Sequence, residues 1–302
     1  MTNKIYDVII IGGSYSGLAA GMALGRALRQ VLIIDSGKPC NAQTPHSHNF
    51  LTQDGETPKA IAEKARKQVE KYDTVSFHSG LAVRGEKTDS GFEITTESGV
   101  VFTAKKLHFA TGVKDVMPDI EGAAECWGIS MIHCPYCHGY EVRNEKTGIL
   151  GNGEVAFHFT KLITNWTKDL TVFTNGKSTL TAEQTAKLKA YGIPVIEDEI
   201  AAFGHKNGSI ESVRFKDGSS TELTAMYAKL PFLQHSDIPE QLGCAFNEQA
   251  YIQVNEFQKT SVPGIYASGD NAAPMRSVAN AVATGTLAGA MINMELVNES
   301  FE

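Results

Sequence analysis

Cys134 and Cys137 lie in the run His133-Cys134-Pro135-Tyr136-Cys137-His138-Gly139-Tyr140-Glu141. Two thiols at Cys-x-x-Cys spacing close a small reversible disulfide, and a depressed pKa at one of them supplies a thiolate that attacks an external disulfide. Zinc is the competing chemistry, because His133 and His138 bring the potential ligands to four. Crowded into six residues, they could hardly all point at one tetrahedral centre, and no second Cys-x-x-Cys follows. The expectation is a redox dithiol and no metal.

Two glycine motifs could supply that dithiol with electrons. Ile5 to Ile11 is an apolar, β-branched run ending at Gly12-Gly13-Ser14-Tyr15-Ser16-Gly17, followed by a helical stretch to about Leu28 and the strand Val31 to Asp35. A strand, glycine turn, helix and strand ending in an acid make the βαβ unit that binds dinucleotides. Here Asp35 follows Gly12 by 23 residues, near the expected spacing of about 20. The pattern repeats: Gly148-Ile149-Leu150 runs into Gly151-Asn152-Gly153-Glu154-Val155-Ala156, an amphipathic stretch reaches about Trp166, and Leu170 to Thr174 returns as a strand. One such motif is a weak signal, since glycine turns between strand and helix are common, but two at matching spacing are strong. Two dinucleotide sites beside a dithiol form an electron path: hydride from a nicotinamide to a flavin, then electrons to a disulfide.

The rest of the chain must position these groups. Short alternating runs at Phe92 to Thr95 and Val100 to Phe102 predict an antiparallel inset closed by Leu107 to Gly112, and Ile210 to Phe215 with Thr221 to Thr224 predicts a second. The fold class expected is α/β, with two Rossmann-like dinucleotide-binding domains, the second inserted in the first, each carrying a β inset. Ile265 to Asp270 is a late strand ending in Gly-Asp, which can place a carboxylate at the hydroxyls of a dinucleotide and so return the C-terminus to the first domain.

With 27 basic and 34 acidic side chains among 302 residues, the net charge is −7, and no cluster of Lys and Arg invites nucleic acid or anionic lipid. Val278 to Met294 is uncharged for 17 residues, but Thr, Asn and Gly interrupt it, and it falls short of the roughly 20 apolar residues that span a bilayer. It reads as a buried helix, so neither nucleic acid nor membrane is expected as a partner. Five cysteines, an odd number, without a secretory signal suggest a reducing cytoplasm. Cys40, Cys126 and Cys244 read as inert thiols, and His46 and His48 as an exposed polar loop.

As an ordered set, the Gly12–Gly17 turn, Ala110-Thr111-Gly112, Cys134 to Cys137, Gly151 to Ala156 and the run from Thr260 to Asp270 resemble the low-molecular-weight thioredoxin reductase family over nearly the whole chain. The resemblance implies FAD on residues 1–114 and about 246–302, NAD(P)H on about 115–245, a homodimer, and a rotation of one domain on the other. It places Cys137 against the flavin and makes Cys134 the thiol that attacks an incoming disulfide. Around FAD it implies Gly12, Ser14, Gly17, Thr111 and Gly112, with Asp35 on the adenosine ribose, Gln43 and Asn49 on the flavin side and Val83 at the adenine through its backbone. Gly269, Asp270 and Val278 would meet the remaining flavin groups. For the second nucleotide it implies Gly151, Gly153, Glu154, Ala156, Thr174 and Asn175.

Four departures from the family pattern bear on the chemistry. Ser14 stands where the middle glycine of the fingerprint usually lies, and its small side chain still allows a pyrophosphate to approach. His138 replaces the aspartate that acts as acid in ordinary members. Histidine titrates near neutral pH and can supply the same proton, so His138 is the expected acid/base, with Glu141 the other candidate. The strand end Phe173-Thr174-Asn175-Gly176-Lys177 lacks both the arginines that grip a 2′-phosphate and an acid that would favour NADH; NADPH is expected, with NADH open. Finally, the Cys-Pro-Tyr-Cys-His-Gly-Tyr-Glu run looks more like the branch handling dithiols in small natural products, the gliotoxin type. The expected activity is electron transfer from NAD(P)H through FAD and the dithiol to a thioredoxin-like protein or small disulfide. The alternative is an FAD-dependent oxidase that forms a disulfide in a small-molecule dithiol with oxygen as acceptor.

Overall fold

The computed structural model describes residues 4–301. The chain divides into two compact units. The first comprises Met1–Ala42, Phe50–Lys114 and Phe232–Glu302, and the second Gln43–Asn49 and Asp115–Pro231.

The chain begins with β1 (Ile5–Ile11), α1 (Tyr15–Arg26), β2 (Val31–Asp35), α2 (Pro58–Val69) and β3 (Val75–Ser79). Val8, Ile9, Ile10 and Val31 to Ile34 are almost wholly buried: Val8, Ile10 and Ile33 pack with Leu18, Ala20 and Leu24 of α1, and Ile9, Leu32 and Ile34 on the other face pack with Phe92, Ile94 and Ile252. The inset follows as β4 (Ala82–Thr88), β5 (Gly91–Thr96) and β6 (Val101–Phe109). β6 serves two structures at once: its first half pairs antiparallel with β5, while most of its length runs parallel beside β1.

The chain passes into the second unit along β7 (Val113–Asp115), and that unit holds α3 (Ala123–Cys126), β8 (Met131–Ile132), α4 (Pro135–His138), β9 (Thr147–Leu150), α5 (Gly153–Ile163), β10 (Leu170–Phe173), α6 (Ala182–Ala190) and β11 (Val195–Ile196). Next come β12 (Ile200–Lys206), β13 (Ser209–Phe215), β14 (Ser220–Glu222) and β15 (Ala225–Ala228). A parallel sheet in the order β11-β10-β9-β15-β8 carries a separate antiparallel inset, β12-β13-β14.

The chain then returns through β16 (Phe232–Gln234), α7 (Ile238–Gln241), β17 (Ile265–Ala267) and α8 (Val278–Phe301). Two Rossmann-like α/β units, the second interrupting the first, are the architecture read from the sequence. The return lies at Phe232 rather than near residue 246. Ile238 is buried against β4, with its Cγ2 in the space a side chain at Gly85 would need. β17 pairs in parallel with β6. Helix α8, uncharged from Val278 to Met294, lies on α1 through small residues, since a Cβ at Gly289 would come within 2.8 Å of the Ala20 carbonyl oxygen and 2.9 Å of the Ala23 side chain. Among the described residues no helix is long and apolar enough to cross a membrane.

α8 is also tied down by charge. Lys106, almost fully buried, donates to Glu295 at 2.6 Å and to Glu299, and Glu295 also accepts from Lys259 and from the Tyr266 hydroxyl. Burial alone would raise the Glu295 pKa, but the hydrogen bonds from Lys106, Lys259 and Tyr266 outweigh it and hold the carboxyl at about 2, below its ordinary 4.5. A depressed carboxylate stabilises the fold fully above its unfolded pKa, and that contribution is lost as pH falls through the folded value. Between pH 7 and pH 3, urea unfolding is therefore expected to show wild type losing on the order of 2 kcal/mol more than Glu295→Gln. Equal losses would show that the cluster does not anchor α8.

Candidate functional site

In the first unit, strand ends bring one set of predicted residues together. Gly12 ends β1 with φ at +106°, and a side chain there would run into the Ala110 carbonyl. Ser14 is the N-cap of α1 in extended conformation; its side chain makes no capping bond and the first turn holds no acid. Gly17, in that turn, packs against the Gly12 carbonyl. Asp35 at the end of β2 accepts from the Gly13 amide at 3.0 Å. Its own carbonyl accepts from the Gly80 amide at 2.9 Å, three residues before Val83 in β4. Thr111 and Gly112 follow β6. The Thr111 hydroxyl accepts from the Asn271 amide at 3.2 Å, and Gly112, at φ +64°, faces open space. Gly269 packs against Ser16, Asp270 lies 3.6 Å from the Arg276 guanidinium, and Val278 begins α8.

These groups fit FAD. An uncapped helix start without a competing acid presents its amides to a pyrophosphate. Asn271, fully buried beside Thr111, keeps an amide oxygen with no protein partner. The brace beneath this turn joins residues distant in sequence and was not legible from local spacing. His108, wholly buried, bonds Ser268 at 2.6 Å, and Ser268 bonds Ser16 in the first turn of α1, also at 2.6 Å. Burial pushes the His108 pKa down to about 3, so this histidine is a neutral strut.

Gln43 and Asn49 lie in a segment that clusters with the second unit, where the Gln43 amide donates to the carbonyls of Trp127 and, at 3.4 Å, Ala124. Asn49 is exposed with φ at +59°.

The second glycine turn is built differently. Gly151 follows β9 and Ala156 is buried against it, as the fingerprint requires. Asn152, however, turns its side chain into the helix start. Its Oδ1 accepts from the Gly153 amide at 2.8 Å, the Thr179 amide at 2.7 Å and the Thr179 hydroxyl at 3.0 Å, while its Nδ2 donates to the Lys177 carbonyl at 2.9 Å. Glu154 adds an acid to the first turn and pairs with His158 at 3.3 Å. Thr174 is buried and donates to the carbonyls of Gly176 and Ile196, and Asn175 Oδ1 accepts from the Ile200 amide at 2.7 Å. The chain's own groups thus engage the Gly153 amide, the Thr174 hydroxyl and Asn175 Oδ1, while the Glu154 carboxylate turns along the helix to His158. The strand, glycine turn and helix that the family uses for NAD(P)H are present, with Asn152, Thr174 and Asn175 bonded within the chain.

Cys134 and Cys137 form a disulfide, their Cα atoms 5.3 Å apart. Cys134 caps the single turn α4, with Pro135 at its first position. Gly139 lets the turn lie on Trp166, since a Cβ there would come within 2.8 Å of the indole nitrogen; Tyr136 meets the same indole edge-on at 5.5 Å. His133 stacks on Trp127, and among the described residues no group of three or more His, Cys, Asp or Glu could hold a metal ion. Tyr136 and Tyr140 are exposed beside the disulfide, with the Arg143 guanidinium over the Tyr140 ring at 3.9 Å.

His138 follows the disulfide directly. Burial lowers its pKa, the Glu141 carboxylate opposes that shift and His48 adds to it. His48, read from the sequence as an exposed loop residue, instead lies with Nε2 3.6 Å from Glu141 Oε1. Of the remaining cysteines, Cys40 is exposed, burial raises the Cys126 thiol to about 11, and burial also raises Cys244.

Residues 6–285 match the family described as pyridine nucleotide-disulphide oxidoreductase. The thioredoxin reductase tcpT of Claviceps purpurea is 34% identical, over 98% of this chain and 96% of its own. The thioredoxin reductase sirT of Leptosphaeria maculans is 33% identical, over 97% and 94%. Among solved structures, the oxidoreductase from Agrobacterium tumefaciens is similar with a TM-score of 0.91 and 37% identity, covering 98% of this chain and 99% of that one.

Proposed function

The chain belongs to the pyridine nucleotide-disulphide oxidoreductase family and is a thioredoxin reductase-like enzyme; on that premise we propose that it exchanges electrons between FAD on its first unit and an external thiol–disulfide pair through Cys134 and Cys137. The observation that carries this reading is the Cys134–Cys137 disulfide, closed over α4 with His138 directly after it.

In the direction of dithiol oxidation, a substrate thiolate attacks Cys134 Sγ. The bond to Cys137 breaks and a mixed disulfide forms, with Cys137 leaving as thiolate. The second substrate thiol, deprotonated by His138, then attacks the mixed disulfide. The substrate leaves as a disulfide, having lost two electrons and two protons, and Cys134 and Cys137 are left reduced. His138 is suited to take that proton because burial holds it neutral beforehand. FAD, which Gly12, Gly17, Asp35, Thr111 and Asp270 would hold, would supply a two-electron acceptor for the reduced dithiol. The reverse sequence reduces a disulfide, in a thioredoxin-like protein or a small molecule, and needs an electron donor.

Dithiol oxidation with oxygen as the final acceptor is favoured by Asn152, whose side chain is held at the second glycine turn by the Gly153 amide and by Thr179. Mixed anaerobically with NADPH or NADH, the yellow protein is expected to keep its flavin absorbance, and to bleach with a small dithiol and recover in air. Rapid bleaching by either nucleotide followed by recovery with oxidised thioredoxin would replace this direction with the NAD(P)H-driven reductase.

A further inference from the structure

The mechanism above uses His138 alone, yet the structure sets two further ionisable groups around it. Glu141 lies three residues on, and His48 arrives from the segment Gln43–Asn49, which clusters with this unit. His48 Nε2 is 3.6 Å from Glu141 Oε1; the His48 side chain is 21% exposed and that of Glu141 41%. One carboxylate therefore stands among two imidazoles. The Glu141 charge also acts on the Tyr227 hydroxyl on β15, which is buried without a protein partner and held protonated by burial and by that charge.

We propose that His48 is a positioning residue of the redox turn: by engaging Glu141 it limits how far that carboxylate assists His138 in taking a proton from the reduced Cys134–Cys137 pair. The inference rests on the reading of those cysteines as the redox pair. The step is a proton transfer only. The S–H bond of Cys134 breaks, the proton passes to a ring nitrogen of neutral His138, and a thiolate and an imidazolium result; Glu141 and His48 make and break no covalent bond.

Glu141 favours the imidazolium, so removing its charge disfavours proton transfer and leaves less thiolate at a given pH. His48 acts in the opposite sense: it draws on the same carboxylate, and any charge it carries repels a second cation, so its removal favours the imidazolium and leaves more thiolate. A structural role for either residue would not produce opposite signs. Because Glu141 is partly open to water, the effects are modest, about threefold in rate, equivalent to about half a pH unit.

The test is the rate of iodoacetamide modification of Cys134 in the dithiol-reduced holoprotein below the ordinary thiol pKa, read by mass spectrometry so that Cys40 does not interfere. Glu141→Gln is expected to slow modification about threefold and His48→Asn to speed it about threefold, with a smaller effect of His48→Asn in the Glu141→Gln background. A His48→Asn rate that is unchanged, or that falls as in Glu141→Gln, overturns the proposal. Should His48→Asn fold poorly, His48→Gln and the wild-type imidazole titration, with His138 assigned through His138→Gln, give the same reading. Failure of a dithiol to bleach the flavin, with the opposite signs still present, would sink the redox reading and leave this coupling standing.

Discussion

Cys137→Ser and Cys134→Ser are each expected to yield a folded, flavin-containing protein whose turnover with a dithiol falls on the order of 10³-fold or more, because one thiol cannot hold an electron pair as a disulfide. The magnitudes separate this loss from unfolding. A disulfide closing so short a loop restricts the unfolded chain by only about 2 kcal/mol, a cost that lowers Tm by several degrees and leaves the fold intact. The two variants should differ in what they trap. With Cys137 gone, nothing inside the protein resolves a mixed disulfide on Cys134, so an activated small disulfide should leave a covalent adduct there, visible by mass. With Cys134 gone, the adduct should be slow to form. The opposite pattern would exchange the roles of the two cysteines, and full turnover in either variant would remove the dithiol from the mechanism.

The elements that build this site were legible where a local pattern matches a physical period. β1 is read to the residue because a β-branched run buried on both faces has one stable conformation, and the two glycine turns announce themselves because strand and helix must meet there closely. α8 was legible as a helix, but its missing charges suggested full burial, whereas only the stripe Ala281, Gly285, Ala288, Gly289, Ile292 and Leu296 is buried. What stayed hidden depends on residues distant in sequence. His48 and Glu141 lie on separate segments, and nothing in the polar run around His48 shows that it joins the second unit. Asn152 matches the fingerprint as an unspecified residue, and only the placement of Thr179 turns it into a plug. The return at Phe232 was likewise hidden, because no composition shift marks it, and it is settled by Ile238 filling the space beside Gly85. The chemistry-bearing types could be read from spacing, while the partners that tune them are fixed by tertiary packing.

Gly17→Val tests the first turn where packing leaves no freedom. A side chain at residue 17 would be driven into the Gly12 carbonyl and to within 3.3 Å of Ile10 Cγ2. Neither can withdraw: the Gly12 amide bonds the Ile34 carbonyl at 2.8 Å, and Ile10 is fully buried. Overpacking that moves backbone in a closed core costs about 3–5 kcal/mol, which in a chain of this size lowers Tm by about 10 °C. Displacing the start of α1 also turns its free amides away from a pyrophosphate, so the purified variant is expected to be nearly colourless. Gly218→Ala is the control. That residue has φ at +90° with nothing within 4 Å of the added methyl, so it should cost only about 1 kcal/mol of backbone strain and keep its flavin. If Gly17→Val melts like the control and stays yellow, the close approach of strand and helix is not what holds the cofactor. If it loses flavin while melting like the control, the turn binds the cofactor but does not limit stability.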